Sequence, residues 1–147
     1  MSIRDEIQEA IKQATKDRNH ARLDTLRMAK GALLLKEKEK ARDTGISDEE
    51  AVVALRAEVS KRRQSLEIYR DVNKPEEADK LAVEISVLEE FLPQQLSEAA
   101  VEEKVRAFLS EHPDMTHAGK LTGALKKELG DQVDGKVLND VCRRVLG

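Results

Sequence analysis

Apolar residues recur at every third or fourth position along nearly the whole chain, and this spacing limits the possible folds more than any other feature of the sequence. It matches the period of an α-helix with one buried face. No segment shows the strict alternation of apolar and polar residues that indicates a strand. Charged residues form 37% of the chain, against a usual share of about 25%, as is typical of long helices with solvated faces. The sequence therefore predicts an all-α protein.

Cap residues divide this pattern into separate helices. Ser2 precedes the first apolar stripe as an N-cap, and Ser47 with Glu50 three residues later predicts a capping box at the start of a long helix. The helix between them is expected to run from about His20 to Arg42. We expect Asp43-Thr44-Gly45 to end it.

Prolines mark the next boundaries. Pro75 suits the first position of a helix. Because the residue before a proline disfavours helical geometry, Pro93 is expected to stop the following helix at Leu92. We predict two helical subdomains, a larger one of long helices at 1–92 and a smaller three-helix tail domain at 93–147.

The smaller subdomain has its own start and stop signals. Ser97 and Asp134 are expected to cap its first and last helices, and Gly130 to close a middle helix that runs from Thr116 to Leu129. The last helix is predicted to bury Val137, Leu138, Val141, Val145 and Leu146.

Two residues of the larger subdomain differ from their helical neighbours. Gly31 is placed on the inward side of its helix, where the missing side chain predicts a close contact with another helix. Glu84 adjoins the apolar stripe at Ile85, which predicts an inward hydrogen bond or a salt bridge to the other subdomain.

The overall charge narrows the possible partners. The formal net charge is −3, so no global field draws the chain to nucleic acid or membrane, and any such binding must be local. No run approaches the roughly 20 apolar residues that span a bilayer, and the N-terminus has no secretory apolar run. We expect a cytoplasmic protein whose single Cys142 fills core space.

Residues for catalysis or metal binding do not occur in a suitable arrangement. His20, His112 and His117 never fall at the i, i+4 spacing of a helical metal site and are expected to be solvated loop residues. Gly119-Lys120-Leu121-Thr122 looks like the end of a phosphate loop, but Asp114 stands where the first glycine is required. We predict no metal, no cofactor and no catalysis by this chain alone.

Basic residues form two groups. Lys61-Arg62-Arg63 lies in the middle of a long helix, and a second group lies in the last two helices. In that second group Gly119-Lys120 and Gly135-Lys136 are placed near helix starts, where unpaired N–H groups and the helix dipole favour phosphate. The three aromatic residues all fall at apolar positions, so folded RNA is favoured over stacked single-stranded bases. The second group is Lys120, Lys126, Lys127, Lys136, Arg143 and Arg144.

Two motifs carry a resemblance to a known family. One is Leu-Pro-x-Gln-Leu at 92–96, within the run 84–97, and the other combines 119–125, Gly130 and 134–137. With these motifs the chain resembles the YqeY-like family over nearly its whole length. The tail of that family is related to the tail domain of the B subunit of the glutamyl/aspartyl-tRNA amidotransferase. The resemblance implies an all-helical protein of two subdomains.

The resemblance also implies a function. In the amidotransferase the corresponding tail contacts the body of the tRNA, and another domain carries out transamidation. A non-catalytic tRNA-binding accessory module is therefore expected, linked to carbon–nitrogen ligase activity with glutamine as amide donor. An aminoacyl-tRNA synthetase or an amidotransferase is the implied protein partner. The tail resemblance assigns RNA-facing or loop-shaping roles to Gly119, Lys120, Gly130 and Lys136, and electrostatics adds Lys127, Arg143 and Arg144.

Alternatives remain at this point. The glycines also suit helix ends in left-handed conformation without any RNA contact. As a second hypothesis, the long charged helices suit a protein–protein adaptor in translation that does not touch RNA. A free-standing amidase or ligase would need a nucleophile with its base, which the sequence lacks. Leu121-Thr122 and Val133 also depart from the residues common in the family.

Overall fold

The computed structural model describes residues 1–40 and 45–147. Within these ranges the chain forms seven α-helices, one short 3₁₀ turn and no strand, which confirms the predicted all-α class. The helices are α1 (Ile3–Lys16), α2 (His20–Lys38), α3 (Asp48–Asp71), α4 (Pro75–Glu89), α5 (Glu98–Glu111), α6 (Ala118–Leu129) and α7 (Gly135–Leu146), with the 3₁₀ turn at Gly130–Gln132.

The chain divides into two compact units, Met1–Leu92 and Pro93–Gly147. The first unit contains α1 to α4 and the second α5 to α7. The chain passes from one to the other at the Leu92–Pro93 step, just after α4 has ended.

Four helices pack together in the larger unit. Helix α3 packs along α4, and α2 contacts α1, α3 and α4. Both serine capping boxes form, at Ser2 and at Ser47. The N–H of Ile3 donates a hydrogen bond of 3.0 Å to Asp48 Oδ1, which joins the starts of α1 and α3. The fully buried residues at the centre of this unit include Ile7, Leu26, Leu33, Leu55 and Leu88.

The smaller unit has a separate core in which α7 packs against both α5 and α6. Ser97 and Asp134 cap α5 and α7 as expected. Cys142 is fully buried in this core, as the sequence predicted. The other fully buried residues of the core are Val101, Val105, Leu121, Val133, Leu138 and Val141.

Three helix boundaries differ from the predictions. Helix α4 ends at Glu89 rather than Leu92, because the N–H groups of residues 90–92 bond to the carbonyl three positions back instead of four. Helix α2 ends at Lys38 rather than Arg42, because the charged run that follows offers no apolar face to pack, and Lys40 forms a 2.6 Å salt bridge with Glu50. Arg42, with Asp43-Thr44 of the expected stop, lies outside the described residues. Helix α6 begins at Ala118 rather than Thr116, because His117 is its N-cap.

Two burial predictions were wrong. A Cβ atom on Gly31 would meet nothing within 4 Å, so no helix packs closely there. Val137 is 37% exposed, because one residue turns an α-helix by about 100° and the next residue, Leu138, takes the buried position. Glu84 does point inward, and its partner is Arg62 of the same unit at 3.4 Å.

Candidate nucleic-acid interface

Helix α6 presents one apolar face and one basic face. Leu121, Leu125 and Leu129 are buried at intervals of four residues. Lys120 and Lys127 are seven residues apart and therefore project from one side, which is the side opposite the leucines. Both lysines are exposed.

A histidine shapes the start of α6. His117 Nδ1 accepts a hydrogen bond of 3.3 Å from the N–H of Lys120. A Cβ atom on Gly119 would lie 3.0 Å from His117 Cε1, so the glycine leaves room for the ring over the first helical turn. His117 is thus a cap and not merely a solvated loop residue as predicted. Histidine is not among the residues preferred at helix N-caps, so the sequence carries no signal for this role.

A lysine and a glycine shape the end of α6. Gly130 has φ 58° and ψ −127°, a conformation that residues with a side chain rarely adopt. Lys126 Nζ donates to the carbonyl oxygen of Gly130 at 2.8 Å and to that of Val133 at 2.6 Å. Lys126 therefore satisfies carbonyls at the helix end, and Gly130 acts as the loop-shaping residue that the sequence allowed.

Helix α7 adds two cations on the side that faces α6. Thr122 Oγ1 of α6 lies 3.1 Å from Asn139 Oδ1 of α7. Lys136 and Arg143 come three residues before Asn139 and four after it, so they share its side of α7. The Asp134 cap accepts a 2.8 Å hydrogen bond from the N–H of Lys136.

Arg144 lies apart from this group. Its guanidinium is 3.0 Å from Glu98 Oε1 and 3.6 Å from Glu102 Oε1, both on α5. The hydrogen bond that it donates to Glu98 raises the pKa of Arg144. Of the cations predicted from the sequence, Lys120, Lys127, Lys136 and Arg143 therefore form what we call the α6–α7 face, and Arg144 belongs to the contact between α5 and α7.

Within the smaller unit, the excess of positive charge lies on α6 and α7. Residues 118–147 contain six Lys and Arg side chains and four Asp and Glu, whereas the whole chain has a net charge of −3. Helix α5 of the same unit has four acidic and two basic residues counting from Glu98 to Glu111. A local basic face on an acidic protein is therefore present in this unit.

The other basic group, Lys61-Arg62-Arg63, is used inside the larger unit. Arg62 is only 7% exposed, and its guanidinium lies between carboxylates of α3 and α4. The flanking residues are also paired. The shortest pairs are Arg62 with Glu58 at 2.8 Å, Arg63 with Glu89 at 2.7 Å and Lys61 with Glu58 at 3.6 Å.

The described residues do not bring nucleophilic or metal-binding side chains together into a site. Burial raises the pKa of the Cys142 thiol, which disfavours a thiolate nucleophile. Across residues 1–40 and 45–147, no three His, Cys, Asp or Glu side chains are grouped so that they could hold a metal ion. None of the helices described is long and apolar enough to cross a membrane.

Comparison with known families gives one result. The family model described as Yqey-like protein matches residues 4–146, which is nearly the entire chain. No curated protein gives a significant match. The two-unit helical chain with its basic α6–α7 face therefore belongs to the YqeY-like protein family.

Proposed function

We propose that this protein is a non-catalytic accessory module that binds tRNA through the α6–α7 face. The observation that carries the proposal is the set of four exposed cations, Lys120, Lys127, Lys136 and Arg143, on two adjacent helices. Multiple Lys and Arg contacts to phosphates dominate the affinity of such complexes. The resemblance of this region to the amidotransferase tail supports tRNA as the ligand.

The side chains, rather than two of the backbone donors, are the phosphate ligands in this proposal. The N–H of Lys120 is already bonded to His117, and the N–H of Lys136 to Asp134. Each cap positions the first turn from which its lysine projects. The ammonium groups then meet phosphates as point charges.

An exposed glycine gives the face room for close approach. Gly123 lies on the outer side of α6 between Lys120 and Lys127, and a Cβ atom there would meet nothing within 4 Å. The bare helix backbone allows a sugar–phosphate chain to come within reach of both lysines. Gly123→Leu is expected to preserve the fold and weaken tRNA binding about tenfold or more, whereas Gly135→Ala, also without a close neighbour, serves as the milder control.

The proposed role places the chemistry in a partner. The chain would hold tRNA for an amidotransferase or an aminoacyl-tRNA synthetase in the cytoplasm, and the partner would carry out amide transfer from glutamine. This assignment follows from the tail resemblance. It is consistent with the burial of Cys142 and the dispersed histidines.

The decisive experiment is titration of total tRNA into the protein at several salt concentrations. A variant with Lys120, Lys127, Lys136 and Arg143 changed to Ala should bind far more weakly, and the slope of log affinity against log salt should fall by about 3 in magnitude. The matched control changes four exposed cations elsewhere and should keep both affinity and slope. Those four residues are Lys12, Lys16, Lys104 and Arg106.

Three outcomes would contradict the proposal. Absence of tRNA binding even at low salt would favour the adaptor without RNA contact. Equal losses in the variant and its control would show that binding follows net charge and not the α6–α7 face. Glutamine hydrolysis by the purified chain would contradict the non-catalytic assignment.

A further inference from the structure

Helix α2 is apolar on two opposite faces. Leu23, Leu26, Ala29 and Leu33 are buried against the rest of the larger unit. On the other side, Met28, Gly31, Ala32 and Leu35 follow one another at i, i+3, i+4 and i+7 and form a second stripe, here called the outer α2 stripe. Met28 is 53% and Leu35 is 65% exposed. A helix at the surface of a monomer needs only one apolar face, so the second face calls for a partner.

Grooves lie on both sides of this stripe. One groove of about 520 Å³ runs between α2 and α4 and has Met28 and Val83 in its walls, with Val83 54% exposed. The other runs beside α3 and contains Gly31, Leu35 and Glu58. The two grooves share Met28, so they join along α2, and their exposed apolar residues are flanked by charged side chains that include Arg27 and Lys80.

The buried ion pairs of the larger unit hold this surface in shape. Arg62 contacts Glu58 of α3 at 2.8 Å and Glu84 of α4 at 3.4 Å, and each carboxylate lines one of the grooves. Arg62 Nη2 also lies 3.7 Å from Met28 Sδ. The carboxylates of Glu58 and Glu84 are therefore both in ion pairs with Arg62 of the same unit, and Met28 and Leu35 remain exposed beside them.

The outer α2 stripe has the same order of large and small side chains when it is read in either direction. Large residues stand at its two ends, Met28 and Leu35, and small residues stand at its centre, Gly31 and Ala32. An antiparallel copy of α2 crossing between Gly31 and Ala32 would set Met28 of each chain against Leu35 of the other. The small residues at the crossing let two helix axes approach closely.

Charge supports the same arrangement. Asp24 lies near one end of the stripe and Lys38 near the other, and each lines one of the two grooves. Within the described part of the chain, neither side chain has a salt-bridge partner. Antiparallel crossing brings Asp24 of one chain towards Lys38 of the other, and two-fold symmetry makes this contact twice.

We propose that the outer α2 stripe is a self-association surface on which two copies of this chain pair through antiparallel α2 helices. The interface is isologous, with Gly31 and Ala32 at its two-fold axis. The pairing uses only the larger unit and is independent of the proposed tRNA contact.

The first test is sedimentation over protein concentrations from about 1 μM to about 300 μM. Wild-type protein should shift from the 16.5 kDa of one chain to twice that mass. Met28→Asp and Leu35→Asp should remain monomeric at every concentration. The matched controls are Val53→Asp and Ile68→Asp, which place the same charge at exposed apolar residues outside the two grooves and should still pair.

A second variant separates pairing from folding. Gly31→Leu adds a side chain where the monomer has open space, so the melting temperature of the diluted protein should stay the same or rise. The added side chain occupies the helix crossing, so the dissociation constant of the pair should increase about tenfold or more.

Charge reversal tests the register. Asp24→Lys and Lys38→Asp should each weaken pairing, and the double variant should restore it because the complementary contact is re-formed. A wild-type chain that stays monomeric at the highest concentration would overturn the proposal. A dimer that persists in Met28→Asp and Gly31→Leu would also overturn it, because the contact would then lie elsewhere.

Discussion

The two basic groups of this chain contain the same residue types, but the first is paired with carboxylates of its own unit and the second is largely exposed to solvent. In the larger unit Arg62 and Arg63 lie within 3 Å of carboxylates on their own or a neighbouring helix. In the smaller unit Lys120 and Lys127 point away from the core. Among the described residues, no carboxylate pairs with either of these two lysines. Neighbouring carboxylates therefore neutralise the cations of the larger unit, whereas the charges of Lys120 and Lys127 face solvent.

The largest expected effect is a loss of stability, and it tests the paired basic group around Arg62. Arg62→Ala would leave Glu58 and Glu84 without their shared cation in a largely buried setting, and the free energy of unfolding should fall by about 3 kcal/mol. Urea denaturation of the variant measures this loss. Lys127→Ala, an outward cation, should change stability by less than about 0.5 kcal/mol. Similar small losses in both variants would remove the contrast between the two groups.

The next effect is a loss of stability on substitution of Gly130, which ends α6 beside the α6–α7 face. Gly130→Ala forces a side chain into a conformation with φ 58° and ψ −127°, and the smaller unit should lose about 2 kcal/mol of stability. Thermal denaturation checks this, with Gly123→Ala as the control because Gly123 lies within regular helix and should gain stability on substitution. An unchanged melting temperature in Gly130→Ala would show that the loop can adopt another path.

The sequence groups Lys126 with the outward cations of α6, but in the structure its ammonium stabilises the end of the helix. Its ammonium binds the carbonyl oxygens of Gly130 and Val133, so Lys126→Met should cost about 1.5 kcal/mol while retaining most of the packing of the stem. Chemical denaturation measures the loss, and tRNA affinity should be nearly unchanged. A variant with normal stability and weakened RNA binding would instead assign Lys126 to the α6–α7 face.

The smallest effect depends on pH and concerns the larger unit. The hydrogen bond from Lys40 and those of the Ser47 capping box lower the pKa of Glu50 below its ordinary 4.5. This carboxylate therefore stabilises the folded state above that value, and the contribution is lost as the pH falls through the lower folded pKa. Glu50→Gln should be less stable than wild type at pH 7, and the difference should shrink in acid.

The control for this prediction is Glu49→Gln in the same first turn of α3, outside the capping box. It should lose less stability at pH 7 and show a weaker dependence on pH. Equal pH profiles for the two variants would indicate that the helix dipole, rather than the capping box and Lys40, sets the effect.

Local signals explain which parts of the fold were predictable. Ser2, Ser47 and Asp134 were identified as caps because the hydroxyl or carboxylate and the N–H it binds lie within three residues of each other. The end of α2 was placed too late because helical propensity continues through the charged run after the packing has ended. Val137 was misplaced because an apolar residue beside the buried stripe gives no signal of its own.

The site was less predictable because its contacts depend on the fold. The separation between Arg62 and Glu84 is 22 positions in the chain, and no periodicity links them. The cap at His117 depends on the missing Cβ of Gly119, which became visible only with the ring in place. Arg143 and Arg144 were both assigned to the site on electrostatic grounds, and only the packing of α5 shows that Arg144 is paired with Glu98.

The chain passes from the larger unit to the smaller one only once, at Leu92–Pro93, and this order affects how the protein folds during synthesis. Each unit is one uninterrupted stretch of chain, so neither borrows a segment from the other. A ribosome synthesises roughly 5 to 20 residues per second, and domains generally fold as units with the N-terminal one first. All residues of the larger unit are therefore synthesised before the first residue of the smaller unit, and its four helices can pack while the basic helices are still being translated.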